Sequence, residues 1–342
     1  MGLHFTITHC LNAIFCKNIT QNLRNVAKLF DDKMIVDLNI NLTYSKIQSD
    51  FPQYYGYGEP AFFYHSKSDA LEIGYDYPQG LIKNRILYDQ SNITLDESDF
   101  NFEMNFDYKE INSTKLYPYD IEIAINSDFE ALFYLGGETD IEDYQIDFEY
   151  LISRYVVKGM GVFSRYSNYW SDVVTTAPRK TYMQKVGNEF SERISSFSLP
   201  TLYDRHLYII IQRTFIWQFY KESLSLTHVA PEKTMLNTFH RWLTFGNSFS
   251  KNLKLYVLMP KNVRFIFETY GYDGLLINDA LHNGKVRMDL LHRSYCDTIE
   301  YLICSHFVLG KKFDEIYEKI KIGHKILRLL AILGYKLKPS KE

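Results

Sequence analysis

Apolar and polar residues alternate from the first positions of the chain. Leu3, Phe5 and Ile7 are interleaved with His4, Thr6 and Thr8, the period-two pattern of a strand. Leu11, Ile14, Phe15, Leu23, Val26, Leu29 and Phe30 then recur at helical spacing. Between Met34 and Thr43 the alternation returns. Met34, Val36, Leu38, Ile40 and Leu42 face one way, Asp37, Asn39 and Asn41 the other, which predicts a strand with one buried and one wetted face. A loop rich in tyrosine and glycine follows, Tyr54-Tyr55-Gly56-Tyr57-Gly58-Glu59-Pro60. Three more segments alternate. The first holds Leu71, Ile73, Tyr75 and Tyr77, stopped by Pro78 and Gly80; the second Phe100, Phe102, Met104, Phe106 and Tyr108; the third Tyr119, Ile121, Ile123 and Ile125. Ser127 with Glu130, and Thr139 with Glu142, have capping-box spacing and predict two helices. The second carries Ile141, Tyr144, Phe148, Leu151, Ile152 and Tyr155 along one face.

Residues 166–200 are polar and poorly periodic, with Pro178, Arg179 and Lys180 in their middle, and read as a linker or insertion. Beyond them Leu202–Leu226, Met288–Leu309 and Lys311–Leu333 read as helices, with a short strand at Leu253, Leu255 and Val257. The predicted fold is therefore α+β. An acidic N-terminal domain, 1–165, holds an antiparallel or mixed sheet with packed helices, and a basic, mainly α-helical C-terminal domain spans 201–342.

Composition changes this picture little. The chain has 342 residues, 46% apolar and 23% charged, which is ordinary for a globular protein with a real core. Its four cysteines are too sparse for a disulfide framework in a chain of this length. No window reaches the about 18 uninterrupted apolar residues of a transmembrane helix, and no secretory leader is visible. The expectation is a cytoplasmic protein with reduced thiols, in which the Asn-x-Thr sites at Asn18, Asn41, Asn92 and Asn112 carry no consequence.

Charge changes it more. Residues 1–150 hold 25 Asp and Glu against 10 Lys and Arg, a balance of −15; the remainder holds 16 acids and 28 bases, a balance of +12. The two halves either dock on each other or each meet a charged partner. The leading functional expectation is a binding or neutralising protein whose acidic, tyrosine-rich surface captures a basic protein partner such as a toxin, because acidic patches speed and specify such capture. Its binding residues are Tyr54, Tyr55, Tyr57, Glu97, Asp99, Glu103 and Asp107.

Two alternatives use other residues. A metal-dependent nucleic-acid-processing enzyme would place Asp99 and Asp107 on a divalent ion and Lys109 beside the attacking water. A scaffold would reach nucleic acid or an anionic membrane through a basic C-terminal helix bearing Lys311, Lys312, Lys319, Lys321, Lys325 and Arg328. No nucleophile elbow, phosphate loop or tight Cys-x2–4-Cys zinc pair is present, and no cofactor is expected.

Overall fold

The computed structural model describes residues 1–47, 55–65, 76–93, 116–137, 140–164, 180–186, 189–195, 201–209, 214–215, 255–258, 274–276, 281–282, 285–286, 291, 295–304, 306–316 and 320–339. The chain opens with β1 (Gly2–Cys10), α1 (Ala13–Asn18), α2 (Thr20–Lys33), β2 (Met34–Ile35) and β3 (Asp37–Ser45). The helical pattern beginning at Leu11 is real but broken at Asn18. Asn12 caps α1 by accepting hydrogen bonds from the backbone N–H groups of Ile14 and Phe15. Leu23, Val26 and Phe30 then bury one stripe of α2. The chain continues with β4 (Gly56–Pro60), β5 (Phe63–His65), β6 (Asp76–Pro78), α3 (Gln79–Gln90) and β7 (Ile121–Asn126). Next come β8 (Phe133–Tyr134), β9 (Ile146–Asp147) and α4 (Phe148–Gly159).

β1, β3, β7 and β4 form one sheet in that order. β1, β3 and β7 run parallel, and β4 is antiparallel to β7, so the sheet is the mixed form of the expectation. The connection from β1 through α1 and α2 to β3 is the crossover that parallel neighbours require. On β3, Leu38, Ile40, Leu42 and Tyr44 are fully buried, whereas Asp37, Asn39, Asn41 and Thr43 are half-buried. α2 and α4 cover the apolar face.

The Tyr54–Pro60 segment, expected as a loop, is strand from Gly56 onward, and its glycines have a packing reason. A Cβ on Gly58 would lie 2.5 Å from both Cβ and the backbone oxygen of Tyr155, so only glycine lets α4 approach β4 this closely. The Tyr155 hydroxyl donates to the Gly56 carbonyl at 2.8 Å.

Several expected helix starts are placed differently. Ser127–Leu132 is a 3-10 helix capped by Asn126, which accepts from Asp128 N–H. Glu130 closes no capping box; its carboxylate instead accepts from Asn12 Nδ2 at 2.9 Å and from the Tyr44 hydroxyl. α4 begins at Phe148 and not near Thr139. Asp147 caps it, with Oδ1 accepting from Glu149 N–H at 2.8 Å and Tyr150 N–H at 3.2 Å.

Beyond α4 the described elements are β10 (Lys180–Val186), β11 (Glu189–Ser195), β12 (Leu207–Ile209), β13 (Thr214–Phe215), β14 (Leu255–Leu258), β15 (Gly274–Leu276), β16 (Leu281–His282), β17 (Lys285–Val286), α5 (His324–Ile332) and β18 (Lys336–Leu337). β14 matches the expected short strand. The expected helix from Leu202 is, where described, a 3-10 turn at Tyr203–His206 followed by β12 and β13. The expected Met288–Leu309 helix is, where described, a bridge from Leu291 to Cys304 and a 3-10 turn at Tyr301–Ile303. Of Lys311–Leu333 only His324–Ile332 is α-helix among the described residues.

The last described stretch shares the core of the sheet. Tyr301, Leu302, Phe313, Ile316, Ile326, Leu329 and Leu330 are buried in one cluster with Phe148, Tyr150 and Leu151. Phe313 N–H donates to Asp147 Oδ2 at 3.0 Å, and β18 pairs antiparallel with β2. Glu300 supplies the cap that α5 lacks locally: its two oxygens accept from Lys325 N–H at 2.9 Å and Ile326 N–H at 3.0 Å. These described residues from 301 onward thus pack in the same cluster as residues of the N-terminal sheet.

The cysteines depart from the expectation of reduced thiols. Cys10 is joined to Cys16, and Cys296 to Cys304. The chain turns back within 6 and 8 residues, bringing the Cα atoms to 6.5 and 5.3 Å, within bridging range. Sparse counting argued for reduced thiols; local geometry closes both pairs.

Candidate functional site: the open face of the sheet

The face of the sheet opposite α2 and α4 is polar. Register assigns its rows. Thr6 stands beside Asn41, Asn41 beside Glu122 and Glu122 beside Glu59, so one row crosses all four strands. A second row holds Thr43, Ala124 and Tyr57, and a third begins with His4 and Asn39. His4, Thr6, Thr8 and Tyr57 are exposed, and Asn39, Asn41, Thr43, Glu59 and Glu122 half-buried. Parallel strands are usually covered on both faces, which makes this wetted surface the feature of the described fold that needs a use.

Its rows differ electrostatically. At the starts of the strands, Lys83 lies 3.1 Å from Asp37 and 3.1 Å from Asp120. Asp120 also accepts from Asn39 N–H at 2.8 Å and Gln79 Nε2 at 3.0 Å, and His4 reaches Asp37 at 3.2 Å. Burial works against ionisation of Asp37, but hydrogen bonds and charge from Lys83 and His4 outweigh it and hold its carboxyl below the usual range.

The middle row is the reverse. Glu59 and Glu122 are directly opposed on adjacent antiparallel strands, an arrangement that repels. Burial, and then the charge of Glu59, push the Glu122 carboxyl above its ordinary value. Burial and the same two carboxylates raise the Tyr57 phenol. Among the described residues no cation pairs with Glu59 or Glu122.

The expected binding residues divide. Tyr57 lies on this face. Tyr55 does not: it packs edge-on against Phe129 at 5.3 Å and Phe307 at 5.0 Å and lies half-buried against the core. Tyr54, Glu97, Asp99, Glu103, Asp107 and Lys109 lie outside the described residues. Glu122 and Asn41 were missed as site residues. The Ile121-Glu122-Ile123 alternation signals that Glu122 is wetted, but its neighbour depends on strand pairing that sequence spacing does not show.

The expected basic stripe is not one helix face. Lys311 and Lys312 lie ahead of α5, as does Lys321, and Lys319 lies outside the described residues. Lys312 meets Asp140 at 3.4 Å and the Tyr134 ring at 5.8 Å. Lys321 is held by Asp314 at 2.7 Å and Glu149 at 3.4 Å, above the Phe313 ring at 4.8 Å. Lys325 and Arg328, both half-buried, are on α5. Part of the basic half therefore docks on the acidic half.

A buried polar group elsewhere explains itself structurally. Thr201 and Asp204 form a reciprocal capping box at the 3-10 turn, with Thr201 N–H to Asp204 Oδ2 at 2.8 Å and Asp204 N–H to Thr201 Oγ1 at 3.2 Å. Ser164 donates to the other Asp204 oxygen at 2.5 Å. Burial, and then Arg205, bring the nearby His206 imidazole down to about 3, so it is neutral at pH 7.

No three His, Cys, Asp or Glu side chains among the described residues are placed to hold a metal ion. No helix among them is long and apolar enough to cross a membrane. No family model, no curated protein and no solved structure matches this chain.

Proposed function

We propose that the protein is a partner-recognition protein that captures a basic protein partner on the open face of its sheet. The observation that carries this reading is the directly opposed Glu59 and Glu122 pair, half-buried and uncompensated by any described cation, beside the exposed Tyr57. Two adjacent carboxylates on a pleated surface cost stability in the free protein. Lysine or arginine side chains of a partner would relieve that cost on binding, and the Tyr57 ring supplies an amphipathic contact at the row's edge.

The test uses the full chain, wild type and Glu59→Gln/Glu122→Gln, immobilised and exposed at low salt to lysate of its native cells and, separately, to an octalysine peptide. The expected result is a stoichiometric basic protein retained by the wild type, with association that slows as salt rises and falls about tenfold in the variant. Equal retention by both proteins removes this face as the site. Recovery of nucleic acid alone would turn attention to the basic residues that remain exposed, such as Lys311.

A further inference from the structure

The edge of the same sheet carries a separate inference, independent of the function just proposed. β1 is its outermost strand, and among the described residues no strand pairs with its outer side. Asn39 spends both backbone groups on the β7 side, its N–H on Asp120 Oδ2 and its carbonyl on the Asp120 amide, so its neighbours Leu38 and Ile40 address β1. In a parallel pair alternate residues address alternate sides; with Phe5 in register with Ile40, Thr6 addresses β3 and the backbone groups of Phe5 and Ile7 turn outward.

Exposed edges in natural proteins are normally blunted by lysine or other inward charges, proline, brevity or a bulge. β1 is nine residues long, and its sequence, GLHFTITHC, has no lysine, acid or proline. Its register shift against β3 lies after Ile7, at its far end. Phe5 and Ile7 are only half-buried, although they face the covered side of the sheet.

The strand is also self-complementary. Antiparallel pairing of two copies about Thr6 sets Thr6 beside its own equivalent and Phe5 beside Ile7 twice over. Those are hydroxyl–hydroxyl and aromatic–β-branched neighbours of the favourable kind. Thr6 addresses β3, so across the twofold axis it falls in the close, non-hydrogen-bonded position. Phe5 and Ile7 supply the ladder hydrogen bonds.

We propose that the protein forms a twofold dimer by antiparallel pairing of the outer edges of β1, with Thr6 on the axis. The two four-stranded sheets become one eight-stranded sheet whose polar faces lie on the same side. The Asp31 carboxylate packed against Gly2 confines the pairing to the centre of β1, so the dimer is expected to be weak, with a Kd on the order of 10 μM.

Sedimentation of the full chain, carrying no N-terminal tag, from about 1 to 200 μM tests this. The expected result is a shift from 40.4 kDa to twice that mass. Thr6→Lys places two like charges side by side on exposed positions and should weaken association at least ~100-fold without loss of fold. Thr6→Cys should give a dimer on a non-reducing gel that thiol reverses, because that position brings Cα atoms within bridging range. His4→Cys, offset from its own equivalent, should not. A monomer at every concentration overturns the proposal. So does a dimer that Thr6→Lys leaves intact, or one that His4→Cys cross-links as readily as Thr6→Cys.

Discussion

The two faces of the four-stranded sheet are written in the same alternation and reach opposite ends. On β3, Leu42 is fully buried beneath the helices, while Asn41, one residue earlier, is half-buried and accepts from the Thr8 hydroxyl at 2.6 Å. One face is fitted to its helices closely enough to demand glycine at position 58. The other stays wet and tolerates a repelling acid pair. Burial predicts that stability resides chiefly in the first face and that exposed positions of the second can vary without unfolding the protein, which is the condition for a surface that serves recognition.

The widest expected gap is between those two adjacent residues. Leu42→Ala removes a buried side chain between sheet and helices and should cost about 3 kcal/mol. Asn41→Ala removes one exposed side-chain hydrogen bond and should cost no more than about 0.5 kcal/mol. Urea denaturation of both variants measures the difference; equal losses would mean the open face is as structural as the covered one. Next in size is Gly58→Ala. The added Cβ meets backbone as well as side-chain atoms of Tyr155, so α4 must shift, at about 2 kcal/mol. A Gly58→Ala protein as stable as wild type would show that α4 does not need this close approach.

The covered face was largely legible in the sequence because it depends on local period. The alternation of Met34–Thr43 and Tyr119–Ile125 located β3 and β7, and the spacing of Leu23, Val26 and Phe30 located α2. What escaped depends on distant partners. α3 was read past because Gln79, Gly80, Leu81, Ile82, Asn84 and Tyr88 are all buried, leaving no clean stripe. Asn84 there is a structural residue, donating to the Asp37 carbonyl at 3.2 Å and accepting from Asp37 N–H at 2.7 Å. The Ser127–Glu130 spacing suggested a local cap, yet Glu130 is claimed by Asn12 and Tyr44, far away in sequence. α5 is shorter than its Lys/Ile spacing suggested; it starts after Gly323, where Glu300 takes up its first amides. The open face was half legible. Its wetness followed from alternation, but the Glu59–Glu122 pair arises only once β4 lies against β7.

The starts of the strands and the middle row of the open face should answer pH in opposite directions. Asp37 has a lowered carboxyl pKa, so it contributes stability that is present above its unfolded value and lost as pH falls through its folded value. Asp37→Asn should therefore cost about 1 kcal/mol at pH 7 and lose that effect in acid, because the remaining pairing of Lys83 with Asp120 is common to both proteins. Thermal melting of Asp37→Asn and wild type from pH 7 downward measures it. A cost that stays constant into acid would place the role of Asp37 in packing and not in charge.

Glu122 is the counter-case and the smallest effect. Its carboxyl pKa is raised, so the folded protein holds that proton more tightly than the unfolded chain. Its ionisation therefore leaves stability intact below the unfolded value and removes some as pH rises through the folded value. Glu122→Gln abolishes that loss. The variant should match wild type in acid and exceed it at pH 7 by less than about 1 kcal/mol, since the group is partly exposed and screened by solvent. Adding Glu59→Gln to Glu122→Gln should bring little more, because one repulsion cannot be relieved twice. Salt sharpens the test, since added ions screen the pair and should shrink the variant's advantage. If Glu122→Gln is instead less stable at pH 7, the carboxylate has a favourable internal partner. The open face would then be a stabilised surface in the same sense as the covered one, and its acids would not be held ready for a basic partner.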